Sequence, residues 1–137
     1  MTFSFKYKPE KLKSGTIIYR PLIPLTLEGK EKFDVFSILD SGSDITIIPI
    51  EIAEFLDIKY VKENEVSGIT GSSIKAKEGK LKISFGKGHE NYIFEIPILV
   101  PDKENLSVII GRAGFFNQFK ITFIESEKRM EFKKIDL

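Results

Sequence analysis

Asp40 opens a polar knot, Asp40-Ser-Gly-Ser-Asp44, between the apolar runs Phe36-Ser-Ile-Leu39 and Ile45-Thr-Ile-Ile48. Segment 35–39 is rich in β-forming residues and reads as a strand that is at least half buried. The chain must turn at Asp-Ser-Gly, because Gly42 frees the backbone and Ser and Asp favour turns. A carboxylate is thereby held on a tight loop between two buried segments. Such a placement is costly unless the carboxylate is hydrogen-bonded or put to chemical use. The tripeptide alone fits two readings, a turn after a strand and an acid–base group. Competing chemistries are poorly supplied. The chain has no cysteine, which excludes disulfides and thiolate nucleophiles. Its one histidine, His89, lies in Gly86-Lys-Gly-His-Glu90, which reads as a surface hairpin turn. A Ser–His pair or a His-rich metal site is therefore not expected, and no cofactor is implied.

The elements that must carry the knot follow from pattern. A second apolar run, Val108-Ile-Ile110, drives into Gly111, and residues 112–119 have helical spacing. Residues 1–15 alternate aromatic and basic side chains (Phe3, Phe5, Tyr7 against Lys6, Lys8), as a strand with one buried face does. Residues 16–27 form a second strand region interrupted by Pro21 and Pro24, which favours an edge or a bulge. Glu28-Gly-Lys30 is a turn leading back to Asp40. After the knot come a buried strand at 45–48 and, from Pro49, a short amphipathic helix with Ile52, Phe55 and Leu56 on one face. Hairpins follow at 60–76, tipped by Gly68-Ile-Thr-Gly71, and at 79–100 around Gly86-Lys-Gly88. A closing hairpin spans 120–135. Short strands with Gly and Pro punctuation predict an all-β, closed or partly closed barrel. At 137 residues the chain is expected to be a single domain, 1–137, and its twelve phenylalanines are read as core. The net charge of +1 gives no reason to expect nucleic acid as a partner. Met1–Lys8 lacks an apolar leader and no apolar run reaches spanning length, so the expectation is a cytoplasmic protein without a membrane partner.

Taken together, Asp40-Ser-Gly42 and the later Val108-Ile-Ile-Gly111 resemble the retropepsins, the single-lobe aspartic proteases of retroviral type. The likeness extends to Tyr19-Arg-Pro-Leu22, to the hairpin around Gly68–Gly71 and to Phe119-Lys-Ile-Thr-Phe123. It implies a retropepsin-like closed β-barrel with a flap hairpin and one or two short helices. It implies an aspartic endopeptidase in which Asp40 is catalytic. Such proteolysis needs two carboxylates facing each other across a water, sharing one proton. Asp-Ser/Thr-Gly occurs once here, so the second carboxylate must come from another chain, and a two-fold homodimer is the economical geometry.

The resemblance also implies roles for the neighbours. Ser41 would bond across the two-fold axis. Gly42 would present its N–H to the carboxylate, and Gly111 would pack behind the loop. Ser43 would either donate to the dyad or make a local turn bond to backbone. Asp44 would receive substrate N–H groups and pair with Arg112, while Arg20 would reach Asp44 of the partner. Solvated surface arginines are the other reading of both. Gly68, Ile69, Thr70 and Gly71 would form the flap over an extended polypeptide substrate. Ile45, Ile48, Ile69 and Val108 would wall its pockets. One departure stands out: about a dozen residues follow Phe123, where retroviral members usually end with a strand that pairs between subunits. The rival reading is a non-catalytic retropepsin-like module that binds extended peptides. A site shared with a different chain is a third.

Overall fold

Period-two patterning becomes strand along most of the described residues. The computed structural model describes residues 1–67 and 73–136, without the side chains of 64–67 and 73. The elements in order are β1 (Thr2–Lys6), β2 (Lys8–Lys11), β3 (Ile17–Arg20), β4 (Leu22–Glu28), β5 (Lys32–Leu39), β6 (Thr46–Ile47) and α1 (Ile50–Leu56). They continue with β7 (Tyr60–Ser67), β8 (Ser73–Lys87), β9 (Glu90–Pro101), β10 (Ile109–Ile110), β11 (Phe119–Ile124) and β12 (Arg129–Lys134).

Six strands close into a barrel in the order β4-β5-β10-β6-β9-β8, with β8 returning to β4. The β5–β10 and β6–β9 pairs are parallel and the remaining pairs antiparallel. Strand β7 lies outside the ring on β8. Strand β8 is long enough to serve both hairpins expected from the sequence, pairing with β7 and with β9. The chain breaks at Pro21, whereas Pro24 stays inside β4. It can do so because β8 joins β4 only at Thr26–Glu28, leaving Pro24 with β5 alone as a neighbour.

Ile23, Leu25 and Leu27 of β4, Leu81 and Ile83 of β8, and Ile96 and Ile98 of β9 fill the barrel. Each such side chain, fully buried, contributes about 1.5–3 kcal/mol. The Ser37 hydroxyl is buried among them with no hydrogen-bond partner among the described residues, a local cost of about 1–3 kcal/mol. On α1 the buried residues are Ala53 and Leu56. Phe55, expected on that face, is exposed and meets Phe33 edge to face.

A three-stranded sheet, β1-β12-β11, joins the two ends of the chain. An aromatic cluster ties it to the barrel: Phe85 of β8 lies 4.9 Å from Phe132, 5.5 Å from Phe119 and 5.2 Å from Phe115, between ring centroids. The phenylalanines are thus largely core, although Phe36, Phe55 and Phe123 are exposed. At the β11–β12 turn, Lys128 pairs with Glu125 and holds its carboxyl below the usual range. Burial, and then Glu125, pushes the nearby Tyr7 hydroxyl up. The helical spacing of 112–119 yields only a 3-10 turn at Phe116–Gln118. Gly114, at φ +80°, takes a left-handed conformation just before it, and β11 begins at once after it.

Candidate active site

Strand β5 delivers Asp40 to the end of the barrel. The Asp40 N–H still bonds to Ile110 O at 2.9 Å, so the parallel ladder with β10 runs up to the carboxylate. The chain then turns, Ser43 N–H donating to Asp40 O at 3.2 Å. The Gly42 N–H donates to Asp40 Oδ1 at 2.9 Å, as the sequence reading expected of it. A Cβ on Gly42 would lie 3.2 Å from that same oxygen, so a side chain would crowd the bond.

Gly111 straps this loop from behind. A Cβ there would fall 2.4 Å from the carbonyl carbon and oxygen of Ile45 and 2.7 Å from its nitrogen. Only glycine lets the two main chains touch. The contact is then bonded along its length. Gly111 N–H donates to the buried Thr46 hydroxyl at 3.1 Å, Arg112 N–H to Ser43 O at 2.9 Å and Ala113 N–H to Asp44 O at 3.0 Å. Thr46 was not singled out from the sequence. Its signal was a lone hydroxyl in an apolar run, which needs a donor or acceptor nearby once buried.

Arg112 forms an ion pair with Asp44 within the chain. Their side chains are 53% and 89% exposed, so the pair is solvated rather than buried. Truncation of an exposed pair costs about 0–1 kcal/mol. Arg112→Ala is therefore expected to melt within about 3 °C of a surface Lys→Ala control. A drop of about 8 °C or more would show that the pair carries structural weight.

Other expectations divide. Ser43 Oγ donates to Ile45 O at 2.8 Å, the local turn bond that was one of its two readings. Ser41 is exposed. Arg20 pairs with Glu10 across the β2–β3 hairpin, a partner the sequence reading did not consider. Gly68, Ile69, Thr70 and Gly71 lie outside the described residues, and β7 and β8 pair antiparallel up to Ser67↔Ser73 on either side of them.

The pocket walls need correction. Ile48 is 0% exposed and Val108 4%, and both belong to the barrel core. The reason is strand parity, since neighbours along a strand face opposite sides. Their neighbours Ile47 and Ile109 are half-buried and pair directly with each other, and Ile109 also pairs with Ile38. By the same parity Ile38 shares its side with Asp40, two residues on. The apolar row beside the carboxylate is thus Ile38-Ile109-Ile47, with Ile45, also half-buried, at the loop end. Alternation from the buried Leu39 and Ile110 would have found it.

A cleft of about 620 Å³, lined by residues such as Pro24, Thr26, Asp34, Phe36 and Asn91, does not include Asp40. Among the described residues no three His, Asp or Glu side chains converge as metal ligands. No described helix is long and apolar enough to cross a membrane.

No protein-family model matches the sequence, and no curated protein matches it. Solved structures do. A retropepsin-like aspartic protease from Rickettsia conorii is 12% identical, with a TM-score of 0.58 over 96% of this chain and 91% of that one. The retroviral protease-like domain of Ddi1 from Leishmania major is 12% identical, with a TM-score of 0.53 over 85% of this chain and 94% of that one. A closed six-stranded barrel of this order, matched along nearly its whole length, gives the conclusion: the chain has the retropepsin-like fold of aspartic proteases.

Proposed function

We propose that the protein is an aspartic endopeptidase whose site is completed by a second copy of the chain, each copy a single domain spanning 1–137. The observation that carries this reading is the Asp40 carboxylate itself. It is held by the Gly42 N–H at the mouth of the barrel, on a loop bonded to Gly111, Arg112 and Ala113. One such loop per chain supplies one carboxylate. Two of them across a two-fold axis supply an acid and a base.

In this mechanism the ionised Asp40 takes a proton from a water as the water oxygen attacks the peptide carbonyl carbon. The protonated Asp40 of the second copy donates to the oxyanion that forms. The C–N bond then breaks as the nitrogen receives the proton that the first Asp40 took from the water and a hydroxyl of the gem-diol returns its proton to the second Asp40, leaving a carboxylic acid and an amine. Asp44, exposed at the end of the loop, is assigned to accept N–H groups of an extended substrate, with Arg112 paired to its carboxylate. Ile45 and the row Ile38-Ile109-Ile47 offer apolar subsites for alternate side chains. Gly68, Ile69, Thr70 and Gly71 are assigned to the flap, and Ser41 to a bond between the two loops.

A non-catalytic module that binds extended peptides is the second reading. It draws on the likeness to a domain described as protease-like. Mixing separates the two. Wild-type chains are exchanged with excess Asp40→Asn chains, and exchange is verified by sedimentation of a tagged pair. A heterodimer with one Asp and one Asn has no shared-proton dyad, so cleavage per wild-type chain should fall toward zero as mutant is added. Unchanged cleavage after verified exchange would refute the two-chain site. Absence of cleavage by the wild type across a broad peptide library would favour the binding module.

A further inference from the structure

On the outer face of the barrel, rows of side chains cross β5, β4, β8 and β9. Lys32, Glu28, Lys82 and Glu95 stand opposite one another in one row. Its charges alternate in sign, and Lys32 lies 3.9 Å from Glu28, so the row neutralises itself. The next row is Asp34, Thr26, Ser84 and Ile93, and it holds a single charge. Asp34 is exposed, and among the described residues no cation pairs with it. The Thr26 hydroxyl donates to Asp34 Oδ1 at 2.6 Å and the Ser84 hydroxyl to Asn91 Oδ1 at 3.2 Å. Both hydroxyl protons are used within the wall, which therefore offers an incoming group mostly acceptors.

Beyond this row the barrel opens. Leu39 N–H bonds to Pro21 O at 3.0 Å, so alternation turns the main-chain groups of Pro24, Thr26 and Glu28 toward β8. Thr26 and Glu28 meet Ser84 and Lys82 there. The next pair would be Pro24 with Gly86, and Pro24 has no N–H to give. The ladder stops at that point. Pro24 C=O and the N–H and C=O of Gly86 face the gap, and among the described residues nothing bonds to them. The cleft of about 620 Å³ is lined by both sides of this gap and by the Asp34 row. Phe36 walls one side, with Lys8 over its ring at 4.6 Å. Asp34 lies about 20 Å along the strand from Asp40, so the cleft and the Asp40 loop are separate places.

We propose that this cleft binds an extended polypeptide segment through one of its arginines. Asp34 supplies the opposite charge, and the acceptors around it suit a planar group with five N–H donors better than an ammonium. The main chain of the segment lies in the gap between Pro24 and Gly86, whose free groups match those of a strand. The proposal goes beyond the reading of Asp40 and holds whether or not that carboxylate cleaves anything.

The test is a titration followed by the backbone amide NMR signals of isotope-labelled Asp40→Asn protein, so that no probe is cleaved. The probes are acetyl-Ala-Val-Arg-Val-Ala-amide, its lysine and citrulline counterparts, and free L-arginine. The arginine peptide should move the amides of Thr26, Gly86 and Asn91 and saturate with a Kd of about 1 mM or tighter. Citrulline keeps the shape of arginine without its charge and should bind about fivefold more weakly or worse. Lysine should also bind more weakly than arginine, and free L-arginine, which has no strand to lay in the gap, about tenfold more weakly than the peptide. Adding Asp34→Asn should cost about fivefold as well, with Tm within about 3 °C, since the Asn oxygen can still accept the Thr26 hydroxyl. Should that variant not fold, the citrulline peptide decides. No movement at the cleft up to about 10 mM peptide, equal binding of citrulline, or unchanged binding by folded Asp34→Asn protein would overturn the site. Movement confined to residues 40–44 would overturn it too, by placing the arginine at the Asp40 loop. Free L-arginine binding as tightly as the peptide would overturn the polypeptide as occupant.

Discussion

Asp40→Asn is expected to fold as the wild type does and to hydrolyse peptides about 10⁴-fold more slowly or worse. Asp40 from the two copies supplies both the base that activates water and the acid that protonates the leaving nitrogen. Each role typically contributes about 10²–10⁴-fold, and Asn can perform neither. The fold should be spared for a local reason. The main-chain bonds around residue 40 do not involve its side chain, and the Asn amide oxygen can still accept the Gly42 N–H. The measurement is cleavage of a peptide library alongside a melting curve, with Tm expected within about 3 °C of wild type. Turnover retained in a well-folded variant would end the aspartic mechanism. Chelators and thiol- or serine-directed reagents should leave wild-type activity unchanged, since the mechanism uses no metal, thiolate or activated serine.

Gly111→Ala should instead strike the fold. Its Cβ would sit 2.4 Å from the Ile45 carbonyl carbon, and the obstructing atoms are main chain, which no rotamer change can move aside. Overpacking of ordinary core side chains costs about 1–3 kcal/mol. A backbone collision at a bonded crossing should reach the top of that range or pass it, lowering Tm by roughly 10 °C. The damage would spread to the site, because separating the two segments stretches the Gly111–Thr46, Arg112–Ser43 and Ala113–Asp44 bonds together. Gly42→Ala is the control. Its Cβ meets only the Asp40 carboxylate, at 3.2 Å, so it should melt near wild type while impairing activity. If Gly111→Ala also melts within about 2 °C of wild type, the close packing of Gly111 on Ile45 is wrong.

Local signals in the sequence determined the barrel class, the loop that carries Asp40, the turns at Gly29 and Gly88, and the closing hairpin. They did so because period-two burial and turn chemistry act over a few residues and leave direct marks. The backing of the loop by Gly111 was also legible, through the likeness of two short motifs. Which side each isoleucine faces was decided only by the register of β5, β10 and β6. A one-residue choice of parity sends Ile48 and Val108 into the core and Ile47 and Ile109 beside the carboxylate. Partners distant in sequence were likewise beyond local reading. Arg20, which faces Lys8 in the β2–β3 ladder, meets Glu10 diagonally across it, and the buried Thr46 hydroxyl is satisfied by the N–H of Gly111, 65 residues on. The terminal sheet is the clearest case. Nothing in Thr2–Lys6 says that it will lie against Arg129–Lys134. Yet that pairing, made by side chains packing on Phe85 across the whole chain, is what joins the two ends of the chain in one sheet.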